Sequence, residues 1–334
     1  MALRVGIVGC GGAGAEHARA YATLGERVAL VGVCDLLPER AARLATAVGT
    51  RSHATFAELW TAGRPDLVSV CTAEYAHTEP ALAALAAGCH VLCEKPLAAT
   101  VADARRLVAA AAAAGRTLGV DYNYRHMPAF RALREEIGGG ALGEVVLAQV
   151  CAHAFCYHHA LDLVRFLFGE VAEVAAWVDD VPSRRNFPWS TPEEFLYVPS
   201  VSAAALLRTR AGATVSLCAS RLRSLDDTLL DVEVLGTRGR RALRGLPSRD
   251  ARPQRVEAWP PDAAAPARLG AAAADAPPFS LGHAFQASVG AFVEALQEGR
   301  PVPTDGGDGV AALLIDQAVV TAHRLGTTVR LWPT

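Results

Sequence analysis

The sequence predicts a two-domain α/β protein: a parallel sheet with helices on both faces, then an α+β domain with a large, open, mostly antiparallel sheet. Three observations carry this. Near-continuous apolar runs alternate with helical stretches through residue 122, the pattern of a parallel sheet buried on both sides. From residue 123 on, strand-like runs come in series. The chain is also long, with 334 residues, 51% of them hydrophobic, and that length favours two domains.

The elements follow in order. "LRVGIVG" (3–9) is a β-branched apolar run ending in glycine, a strand. A helix over 14–24 follows, then a strand in "VALVGVCD" (28–35) and a helix in "PERAARLATAV" (38–48). "DLVSVCT" (66–72) is a strand, with a helix over 78–87 that stops at Gly88. "HVLCE" (90–94) is another strand, followed by an alanine-rich helix (101–115) ended by Gly115 and the strand "TLGVDY" (117–122). Residues 1–122 are thus one domain and 123–334 the other. The second opens with a helix (128–137), "VVLAQVCAHAF" (145–155) and a helix (159–168). Strands follow over 171–178, 202–209, 214–221 and 228–236, with a hairpin-like turn in "TRAGAT" (209–214). The biased stretch "PPDAAAPARLGAAAADAPP" (260–278) reads as a surface loop. Helices over 282–298 and 308–325 close the chain.

Lys+Arg number 32 against Asp+Glu 34, a formal net charge of -2 with no basic stripe, which argues against nucleic acid as a partner. No uncharged apolar run approaches the roughly 18 residues of a membrane span, and the first residues lack the features of a signal peptide. The eight cysteines are scattered, several inside apolar runs. They read as small buried hydrophobes in a reducing, cytoplasmic setting.

The first turn reads Gly9-Cys10-Gly11-Gly12-Ala13-Gly14, G-x-G-x-x-G between a strand and a helix. The first glycine permits the tight turn, the second lets the backbone approach a pyrophosphate, and the third lets helix and strand pack closely. Free N–H groups at the helix start face the phosphates. The second strand ends in Asp35, where a carboxylate can accept from both hydroxyls of an adenosine ribose. The first domain is therefore expected to be a Rossmann domain that binds a dinucleotide. Asp35 would repel a 2′-phosphate, and the nearest cation is Arg40. NAD is expected, with NADP as the alternative.

The run His90-Val91-Leu92-Cys93 stops abruptly on Glu94-Lys95-Pro96. Ligands bind at the carboxyl ends of parallel strands. Lys95 would emerge there, able to hydrogen-bond an alcohol or carbonyl oxygen and stabilise a developing alkoxide. The plain alternative is a solvated lysine at a strand end.

With "GIVGCGGAGAEHARAY", "DLVSVCTAEYAHTEPALAALAAGCHVLCEKPLAAT", "NYRHMPAF" and "FVEALQEGRPVPTDGGDGVAALLIDQAVVTA" in place, nearly the whole chain resembles the Gfo/Idh/MocA family of oxidoreductases. The resemblance implies that Lys95 contacts the reacting hydroxyl, with Glu94 beside the nicotinamide ribose. It places Thr72, Ala73 and His77 in a loop that touches the cofactor, and Asn123 and Arg125 at the next strand end. His159 and Asp162 match a family pattern at the start of a helix facing the nicotinamide, with His158 beside them. The implied reaction is reversible alcohol–ketone interconversion on a sugar, cyclitol or nucleotide-sugar, with Lys95 and His159 catalytic and Asn123, Arg125, His158 and Asp162 on the substrate side. A homodimer or homotetramer through the second sheet is expected, because a flat apolar face usually finds a partner.

Two departures stand out. Many relatives carry an aspartate four residues before the histidine, where this chain has Phe155. The segment 143–159 is also short, so "SRRNFPWSTPEEFLY" (183–197) is a candidate to complete the site. These departures keep two alternatives open: a non-catalytic, dinucleotide-binding regulator, and a C=N or C=C reductase. Cys151, His153, Cys156, His158 and His159 also invite a metal reading, but their spacing matches no C-x₂-C pair, and no metal is expected.

Overall fold

The computed structural model describes residues 2–179, 202–220, 229–245, 255–261 and 280–331. The stretch 183–197 and nearly all of 260–278 lie outside them. The chain divides into two compact units, Met1–Asn123 with Phe285–Leu313, and Tyr124–Ala284 with Leu314–Thr334.

The first unit holds six parallel strands: β1 (Leu3–Val8), β2 (Val28–Cys34), β3 (Ser52–His53), β4 (Leu67–Val70), β5 (His90–Cys93) and β6 (Leu118–Val120). Their order is β3-β2-β1-β4-β5-β6. The winding direction reverses between β1 and β4, the switch point where such sheets bind ligands. All residues of β4 and β6 are buried, as near-continuous apolar sequence requires. The helices here are α1 (Gly12–Ala22), α2 (Pro38–Val48), α3 (Phe56–Gly63), α4 (Thr78–Ala86) and α5 (Val101–Ala114). Thr100 caps α5 by accepting from the Asp103 N–H, and Gly115 ends it in the left-handed conformation.

Edge strand β6 does not stay open. The Val120 N–H donates to Thr304 O (3.2 Å), the Thr304 hydroxyl donates to Val120 O (2.6 Å), and Gly119 bridges Asp305. Chain from the far end of the sequence thus covers an otherwise unpaired edge. This places 285–313 with the nucleotide sheet, which a contiguous division at 122 does not.

The second unit holds β7 (Val145–His153), β8 (Val171–Asp179), β9 (Ser202–Thr209), β10 (Thr214–Ser220), β11 (Leu230–Gly236), β12 (Arg240–Arg244), β13 (Arg255–Trp259) and β14 (Val329–Arg330). The order is β13-β12-β11-β7-β10-β9-β8-β14. Only β7 and β10 pair in parallel; the other neighbours are antiparallel. One face buries Val150, Leu207, Leu217 and Val232. Helices α6 (Pro128–Gly138) and α7 (Tyr157–Phe168) pack on each other, and α7 packs against β7 and β10. The last helices are α8 (Leu281–Gln297) and α9 (Gly306–Leu325). The expected open, mostly antiparallel sheet is present, and its other face carries the exposed Trp177 and Leu206.

Candidate active site

The glycine loop sits at the switch point. Gly9 has φ +95°, and a Cβ on Gly14 would lie 2.0 Å from Gly9 O. Both positions therefore require glycine for the turn and for helix–strand contact. At Gly11 and Gly12 a Cβ would meet nothing within 4 Å. That space lies beside the uncapped start of α1, where backbone N–H groups are available to an anion. The open backbone at Gly11 and Gly12, with Ala13 between them and Gly14, fits a pyrophosphate cradle.

Asp35 lies immediately beyond β2. Its Oδ2 accepts from the Cys10 N–H (2.7 Å) and its Oδ1 from the Leu37 N–H (2.8 Å). The carboxylate is thereby fixed against the glycine loop, where a ribose hydroxyl pair fits it. No phosphate-seeking cation takes its place: Leu36 and Leu37 follow, both exposed.

The turn after β4 and the turn after β5 are joined by one side chain. His77 is buried, with Nδ1 2.8 Å from Pro96 O and Nε2 3.1 Å from Thr72 O. Burial pushes its pKa below the ordinary value against the pull of these carbonyls. A neutral ring can donate to only one of the two. Thr72 in turn donates to Ala76 O (3.0 Å), and Ala73 caps the short turn that follows. His77 thus braces the loop on which the resemblance placed it, from inside.

Glu94 is also turned inward. Its Oε2 accepts from the Lys95 N–H (3.1 Å), and its Oε1 lies 3.3 Å from His17 Nε2. The same nitrogen lies 3.2 Å from Asp121 Oδ2, and His17 Nδ1 is 3.1 Å from Ser69 Oγ. Ser69 contacts the Tyr21 hydroxyl (2.7 Å), and Ser288 donates to the other oxygen of Asp121. All six side chains are buried. Burial opposes charge on His17, but Cys71, Asp121 and Glu94 outweigh it and raise the imidazole pKa well above its ordinary value. Burial raises Asp121. It opposes ionisation of Glu94 too, yet His17, Lys95 and His77 hold that carboxyl low. We read the cluster as an imidazolium–carboxylate pair with a second carboxyl inclined to keep its proton. The three ligand atoms lie within 4.8 Å of one another, a spacing an ion could share. Burial of all three side chains and the 3.2 and 3.3 Å approaches of one ring nitrogen to the two carboxyls favour the proton.

Half-buried Lys95 leaves the carboxyl end of β5, one residue after this anchored glutamate. Its bond to Pro96 is cis. Asn123, which closes the first unit after β6, is buried.

In the second unit the imidazole of His159 stacks on Tyr124, with centroids 3.9 Å apart and planes 14° from parallel. The Tyr124 hydroxyl reaches Cys156 Sγ (3.1 Å). Arg125 holds Asp162 by two bonds, one turn along α7 from His159. His158 Nε2 lies 3.7 Å from Asp316 Oδ2. Helix α7 begins at Tyr157, two residues earlier than the periodicity suggests, directly after a short turn (Ala154–Cys156) that His153 caps by accepting from the Phe155 N–H (3.0 Å). Phe155 is 45% exposed, and no carboxylate stands at its position. Among the described residues, Cys151, His153, Cys156, His158 and His159 form no three-ligand group.

No motif in the sequence marks His17, Ser69, Tyr21, Asp121 or Ser288 as one cluster. A signal was present for His17, which falls three residues after Gly14, on the face of α1 turned to the sheet.

Comparison with known proteins fits this geometry. Residues 3–122 match the oxidoreductase family's NAD-binding Rossmann fold, and residues 154–331 match its C-terminal alpha/beta domain. The chain is 30% identical to inositol 2-dehydrogenase 3 of Saccharopolyspora erythraea over 334 aligned residues, covering 91% of this chain and 96% of that one. Its fold is similar to that of the WlbA dehydrogenase from Bordetella pertussis in complex with NADH and UDP-GlcNAcA (TM-score 0.83, 23% identity, covering 100% of this chain and 98% of that one). It is similar as well to levoglucosan dehydrogenase in complex with NADH and L-sorbose (TM-score 0.82, 23% identity, all of both chains). With both of its domains matched, the chain belongs to the Gfo/Idh/MocA family of NAD-binding oxidoreductases.

Proposed function

We propose that this protein interconverts a secondary alcohol and a ketone on a sugar, cyclitol or nucleotide-sugar, with NAD as the redox partner. The observation that carries the reading is Lys95, set at the carboxyl end of β5 by a buried, fully engaged Glu94 in a sheet whose glycine loop fits a pyrophosphate. The names of relatives, an inositol dehydrogenase and a levoglucosan dehydrogenase, support the substrate class.

Bound nicotinamide supplies the acceptor or donor of hydride. The chain's own residues do the rest. Gly11, Gly12 and the start of α1 hold the pyrophosphate, and Asp35 holds the adenosine ribose. Thr72 and Ala73 line the cofactor, while His77 braces their loop. Lys95 donates to the reacting oxygen and lowers the cost of alkoxide character. His159 takes the hydroxyl proton on oxidation and returns it on reduction, so that alcohol plus NAD⁺ gives ketone, NADH and one proton. Its stacked ring is oriented by Tyr124, in place of the missing carboxylate. Asn123, His158 and Arg125 meet the substrate hydroxyls, with Asp162 holding the guanidinium.

The experiment is turnover of NAD⁺ with a panel of inositols, hexoses and nucleotide-sugars. Lys95→Ala should abolish turnover while NADH still binds; undiminished turnover would refute the role. Cofactor binding with no turnover on any substrate would favour a regulatory role, which Phe155 motivates.

We further infer a homo-oligomer. Trp177, Ala204 and Cys218 lie in register across the outward face of β8, β9 and β10, beside a ladder of Glu233, Arg240, Arg244 and Glu257. A shallow groove crosses the apolar half and contains none of the candidate site residues. The eight free thiols, six of them buried, support a cytoplasmic setting.

A further inference from the structure

We propose that His17 is a positioning residue that ties the cofactor-binding helix to Lys95. The inference rests on the reading of Lys95 given above. It goes further in naming what fixes that lysine. His17 stands in the second turn of α1, the helix whose first turn faces the pyrophosphate. Its Nε2 reaches the carboxylates that directly follow β5 and β6, Glu94 at 3.3 Å and Asp121 at 3.2 Å. Its Nδ1 reaches Ser69 of β4. One ring therefore joins the carboxyl ends of three adjacent strands to the helix that opens the nucleotide site.

The link to Lys95 is short. Glu94 uses one oxygen for His17 and the other for the Lys95 N–H. Movement of that carboxylate moves the peptide from which the lysine side chain departs. Tyr21 packs beside His17 on its own helix, and Phe285 of α8 meets it edge-on at 5.6 Å. Cys71, Glu94 and Asp121 face it from the strand ends, and Ser288 of α8 holds Asp121 from behind. The ring is fully buried, so it touches neither cofactor nor substrate and acts only through its partners. Without it, the buried Glu94 carboxylate loses its nearest cationic partner and faces Asp121 directly, an arrangement that favours its protonation or displacement.

The test uses the full chain and two readouts. The first is the pH profile of Lys95 acetylation by acetic anhydride, mapped by peptide mass spectrometry, which needs no known substrate. The second is the division of the turnover defect between kcat and KM. In His17→Gln the Lys95 profile should shift, and kcat should fall about 100-fold, the cost of a small misplacement at a reacting centre. NADH binding should stay close to wild type. A stability loss with an unchanged Lys95 profile and unchanged kcat would overturn the proposal. If His17→Gln does not fold, the double variant His17→Gln/Asp121→Asn relieves the second buried carboxyl while leaving Glu94 in place, and is held to the same criteria. If the wild type turns over no substrate, the functional reading fails, and the acetylation profile still decides the role of His17.

Discussion

Arg125 and Asp162 form a two-point ion pair: Nε to Oδ2 at 2.7 Å and a terminal nitrogen to Oδ1 at 2.6 Å. The aspartate side chain is 1% exposed and the arginine 12%. Such a pair is a weak source of net stability while intact, but removing one partner strands the other charge. Asp162→Ala should therefore destabilise the second unit by about 3 kcal/mol, read by urea denaturation with a probe in that unit. A loss below about 1 kcal/mol would mean the guanidinium finds water instead.

Tyr124 and His159 separate stacking from hydrogen bonding. Tyr124→Phe keeps the ring over the imidazole and loses the hydroxyl, with its contact to Cys156. Tyr124→Leu loses the stack, worth about 1 kcal/mol in such pairs. Turnover should survive the first change and fall several-fold with the second. Equal loss in both would point to the hydroxyl, not the ring, as what orients His159.

The glycine loop makes two opposed predictions. A Cβ on Gly14 collides with Gly9 O at 2.0 Å, whereas one on Gly11 meets open space. Gly14→Ala should lower thermal stability and cofactor binding together. Gly11→Ala should melt like wild type yet bind NADH more weakly, because its methyl occupies space the phosphate needs. Fluorescence titration beside a melting curve separates the two. Wild-type NADH affinity in Gly11→Ala would show that the phosphates lie elsewhere.

What the sequence makes legible is what its local patterns carry. Five of the six parallel strands, the glycine loop and Asp35 can be read because their patterns are local: period, punctuation and one spacing. Strand β3, only two residues long, offers no period to detect. Helix α3 is too short for a clear period, and its signal is instead a reciprocal capping arrangement of Thr55 and Glu58, the Glu58 N–H donating to Thr55 Oγ1 and Glu58 Oε2 accepting from the Ala54 N–H. The return of 285–313 to β6 depends on contacts nearly 200 residues apart, which periodicity does not carry. His17 and Asp121 lie 104 positions apart in sequence and 3.2 Å apart in space. Parallel topology brings them together, and topology was read only as a class.

Cofactor preference can be tested at Asp35 by removing its charge and one of its two acceptor oxygens. Asp35→Asn keeps one oxygen for a backbone N–H and loses the charge. Affinity for NAD should fall about 10-fold, as for other charge-assisted hydrogen bonds, and discrimination against NADP should relax. Unchanged NAD affinity with NADP still excluded would place the ribose on other groups.

Acid should destabilise the fold partly through His126. Burial, then the charges of Arg131 and Arg125, lowers its pKa from 6.5 to about 4. In the unfolded chain an imidazole titrates near 6.5. Between the two values the unfolded state binds the extra proton, so stability rises with pH there. The contribution is whole above about 6.5 and is lost as pH falls toward about 4. Its slope in mid-window is about 1.4 kcal/mol per pH unit at most. His77 and His90, also lowered mainly by burial, act in the same direction, whereas His17, raised, favours the folded state in acid and loses that contribution as pH rises through its folded pKa. The difference between wild type and His126→Gln isolates one residue from this sum. Urea midpoints should show the variant gaining relative to wild type as pH falls from about 7 to about 4.5. A constant difference across that range would mean that His126 takes up its proton in the folded state as readily as in the unfolded one.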